Sequence, residues 1–379
     1  MKKAYAKINL DAILYNYRHL KCQFQKNIIA VLKDDAYGLG AVPIAKHLQN
    51  EEGIIFAVKD LHEAIQLRKA KIIKDILVLG VFEKKDLSKI KKYHLQVIVT
   101  TLKQLEELKD TSIPFHLKVN TGMNRLGLSI EDFKKAFFLC HHHPQYCLKG
   151  IMTHFATADE NHKQYQVFKE ALQGLDCSSL MIHCFSSNSL QQDDLTNYCR
   201  VGIRLYGLFK RDLMLKNALE IESSIAHIQK VYPHDFVGYD FQYEVKEKGY
   251  VYILPLGYAN GWGRFVKSYA FFENIYLEQA GTISMDYTAY FSTQKIKKDW
   301  NKKVKKEDKK VEYINHTYQN LLDDVNSFGT SLYKLGLKGK RIAICGRNRY
   351  EWAVAHISNL FGGIVSVPID KELQLNELE

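Results

Sequence analysis

The chain has 379 residues, 46% of them hydrophobic and 25% charged, an ordinary globular balance with length for two domains or more. Its formal net charge of +11 comes mostly from lysines scattered along the chain, which argues for a solvated surface and against a nucleic-acid partner. Seven cysteines without C-x-x-C spacing argue against a disulfide framework, and neither a signal-peptide core nor an apolar run of membrane length is present, so a cytoplasmic protein without membrane contact is expected.

Asp11 is placed to N-cap a first helix whose apolar face is Leu10, Ile13, Leu14, Tyr17 and Leu20. Eight short apolar runs then alternate with amphipathic spacers, at 27–33, 54–58, 76–79, 95–100, 115–120, 148–154, 180–185 and 200–206. Eight β runs separated by helices are what a (β/α)8 TIM-type barrel requires, which makes the fold class α/β. The spacer at 130–142 opens around Asp132 and Phe133 and is stopped by Pro144. From 223 aromatic and β-branched residues alternate, the texture of an antiparallel β-domain that breaks off near 295. A lysine-rich charge run reads as a linker, 296–312. After it a helix (317–335), a strand (341–345), a helix (350–361) and a strand (364–369) suggest a small α/β fragment of different character. The expected domains are a barrel over 1–222 whose first ten residues are candidates to join the β-domain, a truncated β-domain over 223–295, the linker, and the fragment over 313–379.

In such a barrel the C-terminal ends of the strands gather on one face, where chemistry is found. Polar residues collect at those ends. Lys33 ends the first run. Lys118 and Asn120 lie on the fifth, with Arg125 just beyond, and His154 ends the sixth. Ser186 and Ser187 follow the seventh, and Arg200 opens the eighth. A lysine at an apolar strand end is suited to Schiff-base formation, because burial lowers its pKa and the neutral amine is the nucleophile. The bland alternative is a lysine that snorkels at the rim. Cys140, His141, His142, His143 and Cys147 sit where a helix ends, with no second ligand group at zinc spacing, so no metal is expected.

Six blocks in order carry a resemblance to the alanine racemase family: AVLKDDAYGLG (30–40), LKVNTGMNRLG (117–127), THFATADE (153–160), RVGIRLYG (200–207), LPLGYANGWGR (254–264) and GTISMD (281–286). HCFSS (183–187) resembles the phosphate-loop block of a racemase subgroup that includes the soluble half of membrane-bound serine racemases. The resemblance spans roughly residues 1–295. It implies a pyridoxal 5'-phosphate (PLP) barrel that interconverts L-alanine and D-alanine by a two-base mechanism, supplying D-alanine for peptidoglycan. Serine racemisation is the alternative, as is a fusion that binds PLP with little or no activity. Lys33 would carry PLP and serve as one base; Tyr258, offered by a partner subunit, would be the other. Tyr37 and His154 would line the cofactor, Ser187 with the backbone of Gly202 and Ile203 would hold its phosphate, and Arg200 would face the pyridine nitrogen. Arg125 and, from the partner, Met285 would contact the substrate. Lys118 matches a lysine that is carbamylated in some members. A homodimer with shared sites follows.

The sequence departs from the family in places. Asn120 and Asn260 each stand where an aspartate is usual, which predicts a looser Arg125 and an altered dimer mouth. Asp34 follows the PLP lysine where a small residue is common, and predicts a carboxylate paired with Lys33. The stretch 313–379 resembles the opening of an acyl-adenylating ligase such as a long-chain acyl-CoA synthetase, without that family's phosphate loop.

Overall fold

The computed structural model of the chain describes residues 4–156, 163–209, 212, 214–264, 266–272, 275–296 and 304–307, and further on 326, 328, 330–332, 334, 338, 341–345 and 365–369. Two compact units result, Met1–Lys309 and Lys310–Glu379.

The first unit opens with β1 (Tyr5–Ile8) and α1 (Leu10–Phe24). The N-cap of α1 is Asn9, whose extended backbone lets its side chain accept from the Ala12 N–H at 3.0 Å. Asp11, expected in that role, already lies in the first turn, where a side chain meets the helix dipole instead of capping it. Ile13, Tyr17 and Leu20 are fully buried on the predicted face.

Eight parallel strands follow: β2 (Asn27–Val31), β3 (Ile55–Val58), β4 (Ile76–Val78), β5 (Gln96–Val99), β6 (Pro114–Lys118), β7 (Cys147–Met152), β8 (Met181–His183) and β9 (Tyr198–Val201). They pair in the order β8–β7–β6–β5–β4–β3–β2–β9. Between β8 and β9 no ladder forms, but Asn197 N–H donates to Ile182 O (3.2 Å) and Arg200 N–H to Phe185 O (3.1 Å), so the barrel is nearly closed. The eighth strand begins earlier and is shorter than expected, because the chain turns after Val201, with Leu205 N–H donating to Gly202 O at 2.8 Å. Arg200 therefore sits near the end of its strand rather than at its start.

Period-two alternation divides each strand between two layers. Ile28, Ala30, Val97, Val99, Phe115, Leu117, Ile182, Cys199 and Val201 belong to the large cluster under the helices. Ile29, Val31, Ile55, Ala57, Leu77, Ile98 and Met152 fill the barrel interior. By the same alternation the intervening polar residues Gln96, His116, Lys118, His183 and Arg200 turn inward, and all five are buried.

The helix α7 expected at 130–142 spans Ile130–His142; Ser129 caps it by accepting from the Asp132 N–H at 3.0 Å. Downstream, β10 (Leu219–Ser223), β11 (His227–Val231), β14 (Gly249–Leu254), β15 (Tyr269–Phe272), β16 (Ile275–Gln279), β17 (Thr288–Ser292) and β18 (Val304–Glu307) join β1 in an antiparallel sheet ordered β1–β10–β18–β15–β16–β17–β14–β11. A separate short pair, β12 (Phe236–Val237) and β13 (Tyr243–Glu244), lies within the same stretch of sequence. β18 falls inside the stretch read as a linker, yet pairs with both β10 and β15.

In the second unit β19 (Arg341–Cys345) and β20 (Val365–Ile369) run parallel, Arg341 opposite Val365. The helix predicted at 317–335 lies partly, and that at 350–361 wholly, outside the described residues.

Candidate active site

A cavity of about 600 Å³ opens at the C-terminal ends of the barrel strands. Lys33, Tyr37, Lys118, Arg125, His154, Ser187, Arg200, Gly202 and Ile203 all line it, although they are scattered over 171 positions from 33 to 203. Parallel strands of similar length deliver their last residues to one rim, which is why distant positions meet. The lining is strongly cationic: Lys33, Lys59, Lys118, Arg125 and Arg200 face a single carboxylate, Asp34. Such a wall attracts anionic groups.

Lys33 leaves β2 into a turn of reversed hand. Asp34, Asp35, Ala36 and Tyr37 have φ of 52°, 51°, 54° and 59°. Left-handed helical backbone costs an L residue roughly 1–2 kcal/mol, so four in succession need outside support. Asp34 N–H donates to Glu63 Oε1 (2.6 Å), Lys59 Nζ reaches Asp34 Oδ1 (3.1 Å), and Tyr206 hydroxyl donates to Val31 O (2.8 Å). The turn sets Lys33 Nζ 5.9 Å from the centre of the Tyr37 ring. Asp34 was expected to pair with Lys33; its partner is Lys59, because the reversed hand carries the carboxylate toward α4 (Leu61–Lys69).

Tyr37 reaches the end of the neighbouring strand β9, where its hydroxyl lies against Gly202. A Cβ at Gly202 would stand 2.3 Å from that hydroxyl, so any larger residue there would have to displace the Tyr37 ring. Gly202 N–H donates to Ser187 Oγ at 3.0 Å. Backbone N–H groups around a glycine form a natural anion cradle. Burial, reinforced by Asp34, raises the Tyr37 phenol above its ordinary range.

Arg200 is held at both terminal nitrogens. Nη1 donates to His183 O (2.8 Å) and His183 Nδ1 (2.7 Å). Nη2 donates to Thr153 O (2.7 Å), Cys184 O (3.1 Å) and His154 Nδ1 (3.2 Å). Among the described residues none engages Nε, and Arg200 lines the cavity. Burial lowers the guanidinium to about 10, still charged at neutral pH. His154 falls to about 3, through burial first and then the charge of Arg200, so its imidazole is neutral. Burial, then Arg200 and Arg125, brings the Lys118 amine down to about 8.

Tyr258 and Met285 are elsewhere. Tyr258 is 40% exposed and Met285 54%, and neither lines the cavity. They form one patch on the β-domain: Tyr258 N–H donates to Ser284 O (3.0 Å) and Ala259 N–H to Met285 O (2.9 Å). Gly257 permits this approach, since a Cβ there would meet Met285 O at 2.2 Å. Arg264 lies 5.8 Å from the Tyr258 ring centre.

Asn120, expected to loosen Arg125, and Asn260, expected to alter the dimer mouth, both act as caps. Asn120 Oδ1 accepts from the N–H groups of Gly122 (3.2 Å) and Asn124 (3.0 Å), bracing the loop before Arg125. Asn260 Oδ1 accepts from Gly257 N–H at 3.1 Å, closing the turn that carries Tyr258. An amide oxygen accepts from backbone as a carboxylate does, so the lost charge does not unmake either turn.

Sequence reasoning passed over several neighbours of the cavity. His183 and His116 stand behind Arg200, Glu63 and Lys59 brace the reversed turn, and a buried Lys26–Asp193 pair ties the loop after Ser187 to the barrel (Nζ to Oδ1 2.5 Å). The available signal was polarity out of place: an imidazole between Phe115 and Leu117 needs a buried partner.

A nearly closed parallel barrel with a lysine at a strand end and an arginine-rich anion cavity fits PLP. The volume suits a molecule of that size, the cations suit its phosphate and a substrate carboxylate, and the Ser187 hydroxyl and the unengaged Arg200 Nε offer donors. The chain matches the family models for the alanine racemase N-terminal domain over residues 8–210 and for its C-terminal domain over 218–346. It is 34% identical over 304 residues to the alanine racemase of Streptococcus equi subsp. equi, covering 74% of this chain and 82% of the relative. With that of Staphylococcus epidermidis the identity is 31% over 308 residues, covering 75% and 80%. Among solved structures it resembles the alanine racemase of Clostridium difficile 630 (28% identity, TM-score 0.68, 82% of this chain and 88% of that one) and that of E. faecalis (26%, 0.69, 97% and 98%). The class is therefore a PLP-dependent amino-acid racemase. The chain belongs to the alanine racemase family, and its reaction is the interconversion of L- and D-alanine.

The C-terminal match runs past 295, where the recognisable blocks end, through the charge run and to 346, inside the stretch expected to be a ligase-like fragment. β18, which continues the sheet at 304–307, is the structural counterpart of that extension.

Proposed function

We propose that Lys33 and Tyr258 divide the proton transfers of alanine racemisation, one on each face of the α-carbon, at sites completed by a second copy of the chain. One observation carries the reading: Lys33 lies on the cavity, whereas Tyr258 and Met285 are exposed together on the β-domain, outside that cavity. Two opposed faces need two proton acceptors, and a twofold dimer can bring one patch to the other's cavity.

Bound PLP supplies the electron sink that acidifies the α-hydrogen. Lys33 holds the cofactor and moves one proton at Nζ. Tyr258 moves the other at its hydroxyl, with the Arg264 guanidinium 5.8 Å from its ring centre. Ser187 with the backbone of Gly202 and Ile203 would bind the phosphate beside Tyr37, and His154 would line the ring. Arg125 and the partner's Met285 orient the substrate, and Lys118 orients Arg125. Arg200 would face the pyridine nitrogen. A guanidinium does not give up its proton, so Arg200 would keep that nitrogen unprotonated, which would weaken the sink and favour return of the proton to the α-carbon over transamination.

Serine is the second substrate reading, supported by the HCFSS block at 183–187. We read 1–222 as barrel, its first ten residues joining the β-domain through β1, 223–295 as β-domain, and 313–379 as ligase-like, the last supported by the parallel pair β19–β20. A cytoplasmic location fits the absence, among described residues, of a helix long and apolar enough to cross a membrane.

The test is complementation. Lys33→Ala and Tyr258→Phe chains, each nearly inactive, are mixed, unfolded and refolded together. Random pairing makes half the dimers mixed, and each mixed dimer has one site with both residues, so about a quarter of wild-type activity returns. No recovery from a mixture that refolds as dimers overturns the shared site.

A further inference from the structure

We propose that Gln96 and His116, acting through His183, are positioning residues that hold Arg200 at the cofactor cavity by a one-directional line of hydrogen bonds across the barrel. The proposal rests on the racemase reading of the site and concerns residues that do not touch the cavity.

The line has no choice of direction. Arginine only donates, so His183 Nδ1, 2.7 Å from Arg200 Nη1, must be the bare nitrogen. The proton of His183 is then on Nε2, which lies 2.8 Å from His116 Nδ1. His116 Nδ1 accepts, its own proton is on Nε2, and that nitrogen donates to Gln96 Oε1 at 2.9 Å. Protonating either imidazole would place a donor against a donor. Both rings are completely buried, and burial followed by the charge of Arg200 keeps both neutral. The rings also lack freedom to turn: they meet edge to face at 5.0 Å, and a Cβ at Gly150 would stand 2.5 Å from His116 Nδ1.

Gln96 begins β5 and lines a second cavity of about 520 Å³ at the N-terminal ends of the strands. The line thus runs from the barrel floor to the guanidinium. A hydrophobic residue at Gln96 would leave His116 Nε2–H buried without an acceptor, and the strain would relax along the line into Arg200.

Three measurements decide it. Nitrogen NMR of the histidine-labelled full chain should show His116 and His183 as neutral Nε2–H tautomers, with or without PLP. Gln96→Leu should bind PLP yet lose about tenfold or more in kcat, the range for a residue behind a first contact, with KM for alanine little changed and a larger share of turnovers diverted to transamination. Gln96→Glu, which still accepts, should restore kcat and partition most of the way. An Nδ1–H tautomer at either ring, or a Gln96→Leu enzyme with wild-type kcat and partition, overturns the proposal. So does a variant that only melts earlier, because that assigns Gln96 a merely structural part. If the wild-type chain neither absorbs in the visible with PLP nor racemises alanine, the racemase reading fails, while the tautomers of the cofactor-free chain still decide the line.

Discussion

Lys118 offers a quantitative test of the cavity's electrostatics. Its amine is 6% exposed, and burial together with Arg200 and Arg125 lowers its pKa from 10.5 to about 8. Below pH 8 the folded chain holds a proton it would release more readily than the unfolded chain, so the charge there opposes folding. Between pH 8 and 10.5 the unfolded state binds more protons than the native one, and stability rises with pH across that window. At roughly 1.4 kcal/mol per unit the full penalty is about 3 kcal/mol. Lys118→Met, which keeps the length and removes the charge, should therefore stabilise the cofactor-free protein by up to about 3 kcal/mol at pH 7. The gain should shrink above pH 8 and vanish near 10.5. Urea unfolding of both proteins at several pH values measures it. A difference that is zero at pH 7, or the same at every pH, refutes the reasoning. The low pKa also enlarges the neutral fraction available to carbon dioxide. A carbamate would exchange the buried cation for an anion beside Arg125, so bicarbonate should raise the melting temperature of the wild type and not of Lys118→Met.

Gly202→Ala should weaken PLP binding by about tenfold or more, because its Cβ would displace the Tyr37 hydroxyl from 2.3 Å; titration of the apoenzyme with PLP measures this, and wild-type affinity would show the contact is not needed. Asp193→Asn should destabilise by about 3–5 kcal/mol, since Lys26 keeps a buried charge at 3% exposure without its partner; a loss under about 1 kcal/mol in urea unfolding would mean that water reaches the pair.

The barrel was legible because eight apolar runs at regular spacing leave few alternatives, and because the inner and outer layers of each strand follow from alternation alone. The cavity residues were legible for a related reason: each ends or follows a strand, and closure of the barrel does the rest. Element ends were less so. Asp11 and Asn9 are both capping residues, and only the backbone angles distinguish them. The lysine-rich run at 304–307 carries no apolar signal, and its pairing with β10 and β15 comes from sheet neighbours distant in sequence.

Sequence by itself determined the family, the strand order along the chain and most of the residues that meet at the cavity, since these depend on periodicity and ordered motifs. Tertiary structure alone decided the partners. It gave Asp34 to Lys59, turned four residues after Lys33 to the left hand, set Tyr258 outside the cavity that Lys33 lines, and lined Gln96, His116 and His183 behind Arg200. The physical reason is that hydrogen bonds and charges act over a few ångströms, and which groups come that close is fixed by closure of the barrel and not by their spacing along the chain.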